Sequence, residues 1–225
     1  MGFSTKILHL FYPPLCLCCQ TLLSKRKVLF CPSCLEQIPL IDPLGRCRTC
    51  FAEFHKGRCE RCIHRPVVIH RQLAACEAIG PAHAILSGIR SGKQECIPAA
   101  ASLMAYQWLQ QKNPLPDLLV PLPSSFWQKQ RLGFDPERML AIELGKIFSV
   151  PVQSILKRTF DRHQFLTQGE FRTQIQLQKR KKEILCDRRI LLIAPLLDDP
   201  LFRSVGNALK PFFPTQIDAL SFAEQ

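Results

Sequence analysis

Eight of the twelve cysteines fall into four C-x-x-C pairs near the start of the chain. These pairs are Cys16/Cys19, Cys31/Cys34, Cys47/Cys50 and Cys59/Cys62. A C-x-x-C turn presents two thiolates to one metal ion, and two such turns complete a tetrahedral four-sulfur site with no open position for chemistry. The spacing therefore predicts two structural zinc ions.

The order of the pairs leaves two ways of sharing them between the ions. Sequential pairing, with the first two pairs on one ion and the last two on the other, closes short loops and is preferred; an interleaved cross-brace stays open. Disulfides are disfavoured in the reducing compartment expected for this chain, and a redox motif would not occur four times. Cys18, His55 and His64 lie among or beside the pairs and are alternative ligands.

Metal binding also has a predicted role in folding. Residues 13–66 hold few aliphatic clusters and many charges, so a zinc ion can supply folding free energy that a small core lacks. Cys76, Cys96 and Cys186 stand alone in apolar surroundings, which predicts that they are buried packing residues.

Two basic clusters are candidates for contact with a nucleic-acid backbone. Lys129 and Arg131 follow Phe126 and Trp127, whose rings could stack on unpaired bases. The second cluster, in a segment predicted to be helical, comprises Lys179, Arg180, Lys181 and Lys182. Each has a structural alternative, because basic residues commonly form a solvated helix face and loop aromatics commonly pack.

Composition limits the class of protein. The 225 residues carry 30 Lys and Arg against 18 Asp and Glu, a formal charge of +12. This charge favours an anionic partner over the alternative of a solvated basic surface without a partner. No apolar run approaches the roughly 18 to 20 residues that span a bilayer. His9 and the pair Pro13-Pro14 interrupt the first apolar stretch before a signal-peptide core develops. We therefore expect a soluble, cytoplasmic protein that keeps its N-terminus.

The segment GIRSGKQ resembles a nucleotide-binding P-loop only superficially. Gly88 and Gly92 are separated by three residues where the motif needs four, and Gln94 stands where a magnesium-binding Ser or Thr is required. This departure excludes a nucleoside triphosphatase of that type.

The predicted secondary structure changes near Pro66. Residues 1–66 are predicted to form a zinc-ribbon-like domain, and residues 67–225 alternate strands with helices. Buried strands are predicted within residues 67–76, 117–122, 188–194 and 216–223, and helices at 82–90, 95–111, 135–148 and 200–210. Alternation of this kind predicts an α/β fold with a parallel sheet flanked by helices. Ligands of such sheets gather at the carboxyl ends of the strands, so the loops after residues 122 and 194 matter most.

Three segments together resemble the ComF family. FYPPLCLCC with CPSC is similar to its opening metal site, ILSGIRSGKQECIPAAASLM to the segment before its first core strand, and LVPLPSSFWQKQRLGFDPERMLAIELGK to its most specific block. The resemblance covers nearly the whole chain, with one inserted residue in that block and Asp135 in place of Asn. It implies a double zinc ribbon, a type I phosphoribosyltransferase-like domain and a role in DNA uptake during natural transformation. Its implied partners are single-stranded DNA or a helicase-like component of the uptake machinery.

The phosphoribosyl pyrophosphate motif that the resemblance implies is degenerate here. Family members with an intact site follow the strand with two acidic residues for ribose and metal, then a turn that wraps the 5′-phosphate. Aligned without gaps, Ala194 and Pro195 occupy the acidic pair, and Asp198, Asp199 and Pro200 occupy the turn. Pro200 lacks a backbone N–H, and the two carboxylates would repel a phosphate. We instead expect Asp199 to cap the next helix with Pro200 as its first residue.

Three hypotheses follow for function. The leading one is a zinc-bearing, catalytically inactive protein that binds single-stranded DNA or an uptake partner. The alternative is an active phosphoribosyltransferase with an atypical site, in which a shifted alignment makes Asp198 and Asp199 the ribose-binding pair and magnesium is required. The third is a zinc-stabilised scaffold with an inert α/β domain.

Overall fold

The computed structural model describes residues 13–25, 28–53, 59–64, 68–160, 173–177, 185–197 and 199–224. Its strands are β1 (Arg71–Glu77), β2 (Leu118–Pro121), β3 (Leu156–Phe160), β4 (Thr173–Leu177), β5 (Arg189–Leu196) and β6 (Gln216–Glu224). Its helices are α1 (Pro32–Glu36), α2 (Glu60–His64), α3 (Gly80–Arg90), α4 (Cys96–Gln110), α5 (Phe126–Leu132), α6 (Pro136–Phe148) and α7 (Asp199–Leu209), followed by a 3-10 turn, Lys210–Phe212. Across these described ranges, no helix has the length and apolar character needed to cross a membrane.

The central sheet is four-stranded and parallel, in the order β1-β6-β5-β2. In its register Leu119 pairs with Leu191, and Leu192 pairs with Ala219. Strands β3 and β4 form a separate antiparallel pair that the sequence did not predict. The parallel sheet flanked by helices confirms the predicted fold class.

Two apolar cores lie on the two faces of the sheet. Leu119 and Leu191 belong to the face covered by α3, α4 and α6, where Trp108 is fully buried. Leu118 and Leu192 belong to the other face, which packs against α7. Successive strand side chains point to opposite faces, so a strand buried on both sides reads as a continuous apolar run.

Local sequence explains the two helices that follow the carboxyl end of β2. Asp135 caps α6 by accepting a hydrogen bond from the Arg138 N–H at 3.1 Å, and Pro136 occupies the first turn, as predicted. Helix α5, which precedes α6, is not among the helices predicted from the sequence. Ser125 caps it by accepting from Gln128 N–H at 3.1 Å, and Gly133 ends it with φ of 74°.

The Cys-rich segment covers the open edge of β1. Ile41 N–H donates to the Ala75 carbonyl at 3.1 Å, and Glu77 N–H donates to the Pro39 carbonyl at 3.0 Å. Gln107 of α4 donates its side-chain amide to the Ile41 carbonyl. These bonds satisfy backbone groups that an uncovered edge would leave unpaired. The predicted domain boundary near Pro66 lies outside the described residues and stays a prediction.

Gly145 allows the chain after α6 to return against the helix. A Cβ at this position would lie 2.7 Å from Val152 Cγ2 and 2.9 Å from the Val150 carbonyl oxygen. We expect Gly145→Ala to lower the free energy of unfolding by about 1–3 kcal/mol, because this overpacking outweighs alanine's higher helix propensity. Urea unfolding followed by circular dichroism measures the change.

The matched control is Gln110→Ala, at the exposed end of α4. It should change the free energy of unfolding by less than about 0.5 kcal/mol. A Gly145→Ala protein as stable as the parent would contradict the close packing between α6 and residues 150–152.

Candidate functional site

The eight paired cysteines form two four-sulfur clusters. One holds Cys16, Cys19, Cys31 and Cys34, the other Cys47, Cys50, Cys59 and Cys62, and within each cluster all sulfurs lie within 4.8 Å of one another. The Sγ–Sγ distance is 3.6 Å for Cys19–Cys31, 3.8 Å for Cys47–Cys62 and 3.6 Å for Cys50–Cys59. Zinc–sulfur bonds of about 2.3 Å place tetrahedral sulfurs about 3.8 Å apart. Both clusters therefore fit a zinc ion, and the thiols are grouped in the sequential order that the sequence favoured.

Backbone N–H groups favour the thiolate form of Cys16 in the first cluster. The Cys31 N–H donates to Cys16 Sγ at 3.4 Å. Burial alone would raise the pKa of Cys16, but the backbone N–H groups of Cys19, Cys31 and Cys18 outweigh it and lower the pKa to about 6. The thiolate is the form of cysteine that binds metal, so the lowered pKa favours the metal-binding form of Cys16.

The alternative ligands stand apart from the clusters. Cys18 is exposed and His64 is exposed on α2, and neither belongs to a four-sulfur set. His55 lies outside the described residues. The eight predicted thiols thus complete both sets without a substitute.

The three remaining cysteines differ in burial. Cys76 and Cys96 are fully buried, and burial raises their pKa to about 12 and about 11. Cys186 is exposed in the turn before β5, so its predicted burial is wrong. The apolar residues that follow Cys186 enter the sheet, whereas the turn itself stays at the surface.

A cavity of about 540 Å³ opens at the carboxyl ends of β2 and β5. Leu122 and Pro123 follow β2, and Ala194 and Pro195 belong to the end of β5. Helices α3, α5, α6 and α7 and strand β3 contribute the other walls. Its place is the edge of a parallel sheet where the sequence led us to expect ligands.

Three arginines from three different elements line this cavity, which we call the arginine cavity. Arg90 ends α3, Arg131 lies on α5 and Arg158 lies on β3. Arg131 Nη2 donates to the Arg90 carbonyl at 3.2 Å, which brings α5 and α3 together. Arg158 Nε is buried, and no described residue accepts a hydrogen bond from it. Like charges that converge on a cavity, with a buried donor that no described residue uses, favour an anionic ligand.

Two exposed aromatic rings stand at the rim of the arginine cavity. Trp127 lines the cavity and is 74% exposed, and Phe126 beside it is 60% exposed. Their ring centroids are 5.7 Å apart with an interplanar angle of 76°, an edge-to-face contact. The rings are therefore open to a stacking partner.

Of the two basic residues predicted near the aromatic pair, one lines the arginine cavity and the other forms an ion pair. Arg131 lines the cavity, whereas Lys129 Nζ lies 2.5 Å from Asp135 Oδ2 and is engaged in that ion pair. The second cluster lies outside the described residues and stays a prediction: Lys179, Arg180, Lys181 and Lys182. Sequence reasoning did not identify Arg90 or Arg158, since no local pattern links either residue to this cavity.

The degenerate loop is partly described. Ala194 and Pro195 lie in the cavity wall and offer it no carboxylate. Helix α7 begins at Asp199 with Pro200 in its first turn, close to the predicted start. Asp198 and the side chain of Asp199 lie outside what the structure describes, so their predicted capping role stays a prediction.

Comparisons with known proteins give a distant structural likeness. No protein-family model matches the chain, and no curated protein matches it. The structure is similar to glutamine phosphoribosylpyrophosphate amidotransferase from B. subtilis complexed with ADP and GMP, with a TM-score of 0.37 and 13% identity. The match covers 56% of this chain and 26% of that one, so the chain spans about a quarter of its length. This likeness carries no conclusion about activity.

Metal content tests the two clusters directly. We expect about two zinc ions per chain by elemental analysis, and about one in Cys34→Ser or Cys62→Ser, because each variant loses a ligand from one cluster. Chelation should also lower the thermal stability of the whole chain, since the Cys-rich segment covers the edge of β1.

Cys18→Ser and Cys186→Ser are the matched controls, because both remove an exposed thiol outside the clusters. Each should keep the full zinc content. Loss of one ion in Cys18→Ser would show that Cys18 is a ligand and would overturn the assignment of the first cluster.

Proposed function

We propose that the protein binds single-stranded nucleic acid at the arginine cavity. The observation that carries this proposal is the convergence of Arg90, Arg131 and Arg158 on one cavity, where Arg158 Nε is buried without a described acceptor. Phosphate oxygens are the acceptors that guanidinium groups bind best, through paired N–H donors. The formal charge of +12 adds attraction for a polyanion at longer range.

The aromatic rim favours a single strand over a duplex. Bases of a single strand are unstacked easily and can lie on an exposed ring, whereas bases of a duplex are occupied by their own stack. Trp127 is exposed next to the arginines, so one base could stack there while the neighbouring phosphate enters the cavity. This combination of charge and stacking is tolerant of sequence.

The cellular process is inferred from sequence alone. The resemblance to the ComF family supports a role in DNA uptake, with the strand itself or a helicase-like component as partner. In this proposal the two zinc ions are structural, because each cluster supplies four thiolates and leaves no open coordination position. The α/β domain acts as a binding surface.

An active phosphoribosyltransferase receives less support from the described residues. Ala194 and Pro195 occupy the wall where the family's acidic pair is expected, and neither can hold a metal or ribose hydroxyls. Calorimetric titration with phosphoribosyl pyrophosphate and magnesium separates the two functions. Saturable, magnesium-dependent binding would favour the enzyme and would show that the gap-free alignment of this loop is wrong.

Binding of a fluorescent oligothymidylate at low salt tests the proposal. We expect Arg131→Ala to weaken binding about tenfold and to reduce the slope of log affinity against log salt by about 0.7, the loss of one phosphate contact on a single strand. We expect Trp127→Ala to weaken binding by about 1–3 kcal/mol with little change in the slope, because it removes stacking.

Arg188→Ala is the charge-matched control. Arg188 is exposed beside the start of β5, at the opposite end of the sheet from the cavity. It should change affinity less than twofold if binding is local to the cavity, on the order expected for one remote screened charge. Equal losses for Arg131→Ala and Arg188→Ala would indicate general attraction to a basic surface, and absence of binding at low salt would overturn the proposal.

A further inference from the structure

Glu137 is an acidic residue in the wall of a cavity otherwise suited to anions. It lies in the first turn of α6 and faces the same cavity as Arg90, Arg131 and Arg158. Among the described residues of that wall, it is the one carboxyl group. An ionised carboxylate there would oppose the arginines, so its protonation state decides how strongly the cavity attracts a phosphate.

The hydrogen bonds around Ser124 indicate where a proton resides. Ser124 Oγ lies 2.6 Å from Asp135 Oδ1 and also contacts Glu137 Oε2. A hydroxyl group has one proton to donate, and two ionised carboxylates can both only accept. Both contacts are satisfied together when one carboxyl group carries a proton and donates it to Ser124 Oγ.

Of the two carboxyl groups that contact Ser124, Asp135 is ionised more easily than Glu137. It accepts from the Arg138 N–H and lies 2.5 Å from Lys129 Nζ. Although burial opposes ionisation, the bonds from Lys129, Ser124 and the Arg138 N–H hold the pKa of Asp135 below its usual range. Ser124 therefore donates to Asp135.

Glu137 is then the group that keeps the proton. Burial raises the pKa of Glu137 and the charge of Asp135 adds to the rise, although the contact with Ser124 opposes it. A protonated Glu137 can donate to Ser124 Oγ, which would complete a chain from Glu137 through Ser124 to Asp135.

We propose that Glu137 sets the charge of the arginine cavity and so determines its affinity for a nucleic-acid phosphate. The charged groups around it are Asp135 of the α6 start, Lys129 and Arg131 of α5, Arg90 of α3 and Arg158 of β3. Lys129 is paired with Asp135, so protonated Glu137 leaves the three arginine charges to the ligand. Ionised Glu137 cancels one of them.

The direction of the pH dependence follows from this charge balance. A phosphate that binds near protonated Glu137 disfavours loss of its proton, so binding raises the pKa of Glu137 further. Affinity is therefore highest below that pKa and falls as the pH rises through it. This inference rests on the proposed binding of single-stranded nucleic acid at the same cavity.

The experiment measures the affinity for an oligothymidylate with a 5′-hydroxyl end between about pH 5 and pH 8, where phosphodiester charge is constant. We expect parent affinity to fall on the order of tenfold across the titration of Glu137. Glu137→Gln is always neutral and keeps a donor for Ser124, so it should retain the low-pH affinity throughout. Protonation of histidines acts on both proteins alike, and the difference between the two profiles isolates Glu137.

Glu143→Gln provides the matched control on the same helix. Glu143 forms an ion pair with Lys146 and is not part of the cavity wall, so its variant should follow the parent profile. A Glu137→Gln profile with the parent's slope would overturn the role of Glu137 while leaving nucleic-acid binding intact. Absence of binding by the parent at every pH would overturn the proposed function itself.

Carbon-13 NMR of the Glu137 carboxyl group gives a second measurement that needs no ligand. The signal is identified by its absence in Glu137→Gln and titrated in the parent protein. A midpoint above the usual range of glutamic acid supports the proposal. A midpoint within or below that range would overturn it, even if oligonucleotide binding is pH-dependent for another reason.

Discussion

The covered edge of β1 is the constraint on which the rest of the structure depends. An uncovered parallel edge leaves backbone N–H and carbonyl groups unpaired, and here residues 39–41 satisfy them. Arg46 adds an ion pair with Glu224 at 2.5 Å and stacks on Phe51 at 5.0 Å, joining the second cluster to the end of β6. The two cysteine clusters therefore flank the segment that covers the edge of the sheet.

This arrangement links zinc to the stability of the α/β core. Leu23, Phe30 and Ile41 of the Cys-rich segment join the same buried core as Leu73 of β1. A metal ion at each cluster would order this segment, and apolar burial against β1 would offset part of the ordering cost. The Cys-rich segment is thus an integral layer of the described structure.

The arginine cavity depends on the sheet in a different way. Strands β2 and β5 end side by side, and the polypeptide that leaves β2 passes through α5 and α6, which carry Arg131 and Glu137. Arg90 and Arg158 come from distant parts of the chain. Bringing three guanidinium groups together has an electrostatic cost that an anion relieves, and in the proposed role of Glu137 one proton near Ser124 adjusts that cost.

The sequence by itself determined the features that arise from short spacings. The C-x-x-C pairs predicted both clusters, and apolar runs with capping residues such as Asp135 predicted the strands of the parallel sheet and the main helices, because these signals act within a few residues. Cys186 shows the limit, since an apolar neighbourhood in sequence became an exposed turn in space.

The tertiary structure alone decided which residues meet. Residues 39–41 pair with β1, three arginines converge on one cavity, and Ser124 contacts both Asp135 and Glu137. Each of these contacts joins segments that are separated along the chain. No local pattern encodes such contacts, because their energies depend on distance and solvent exclusion that exist only after the sheet and its helices have packed.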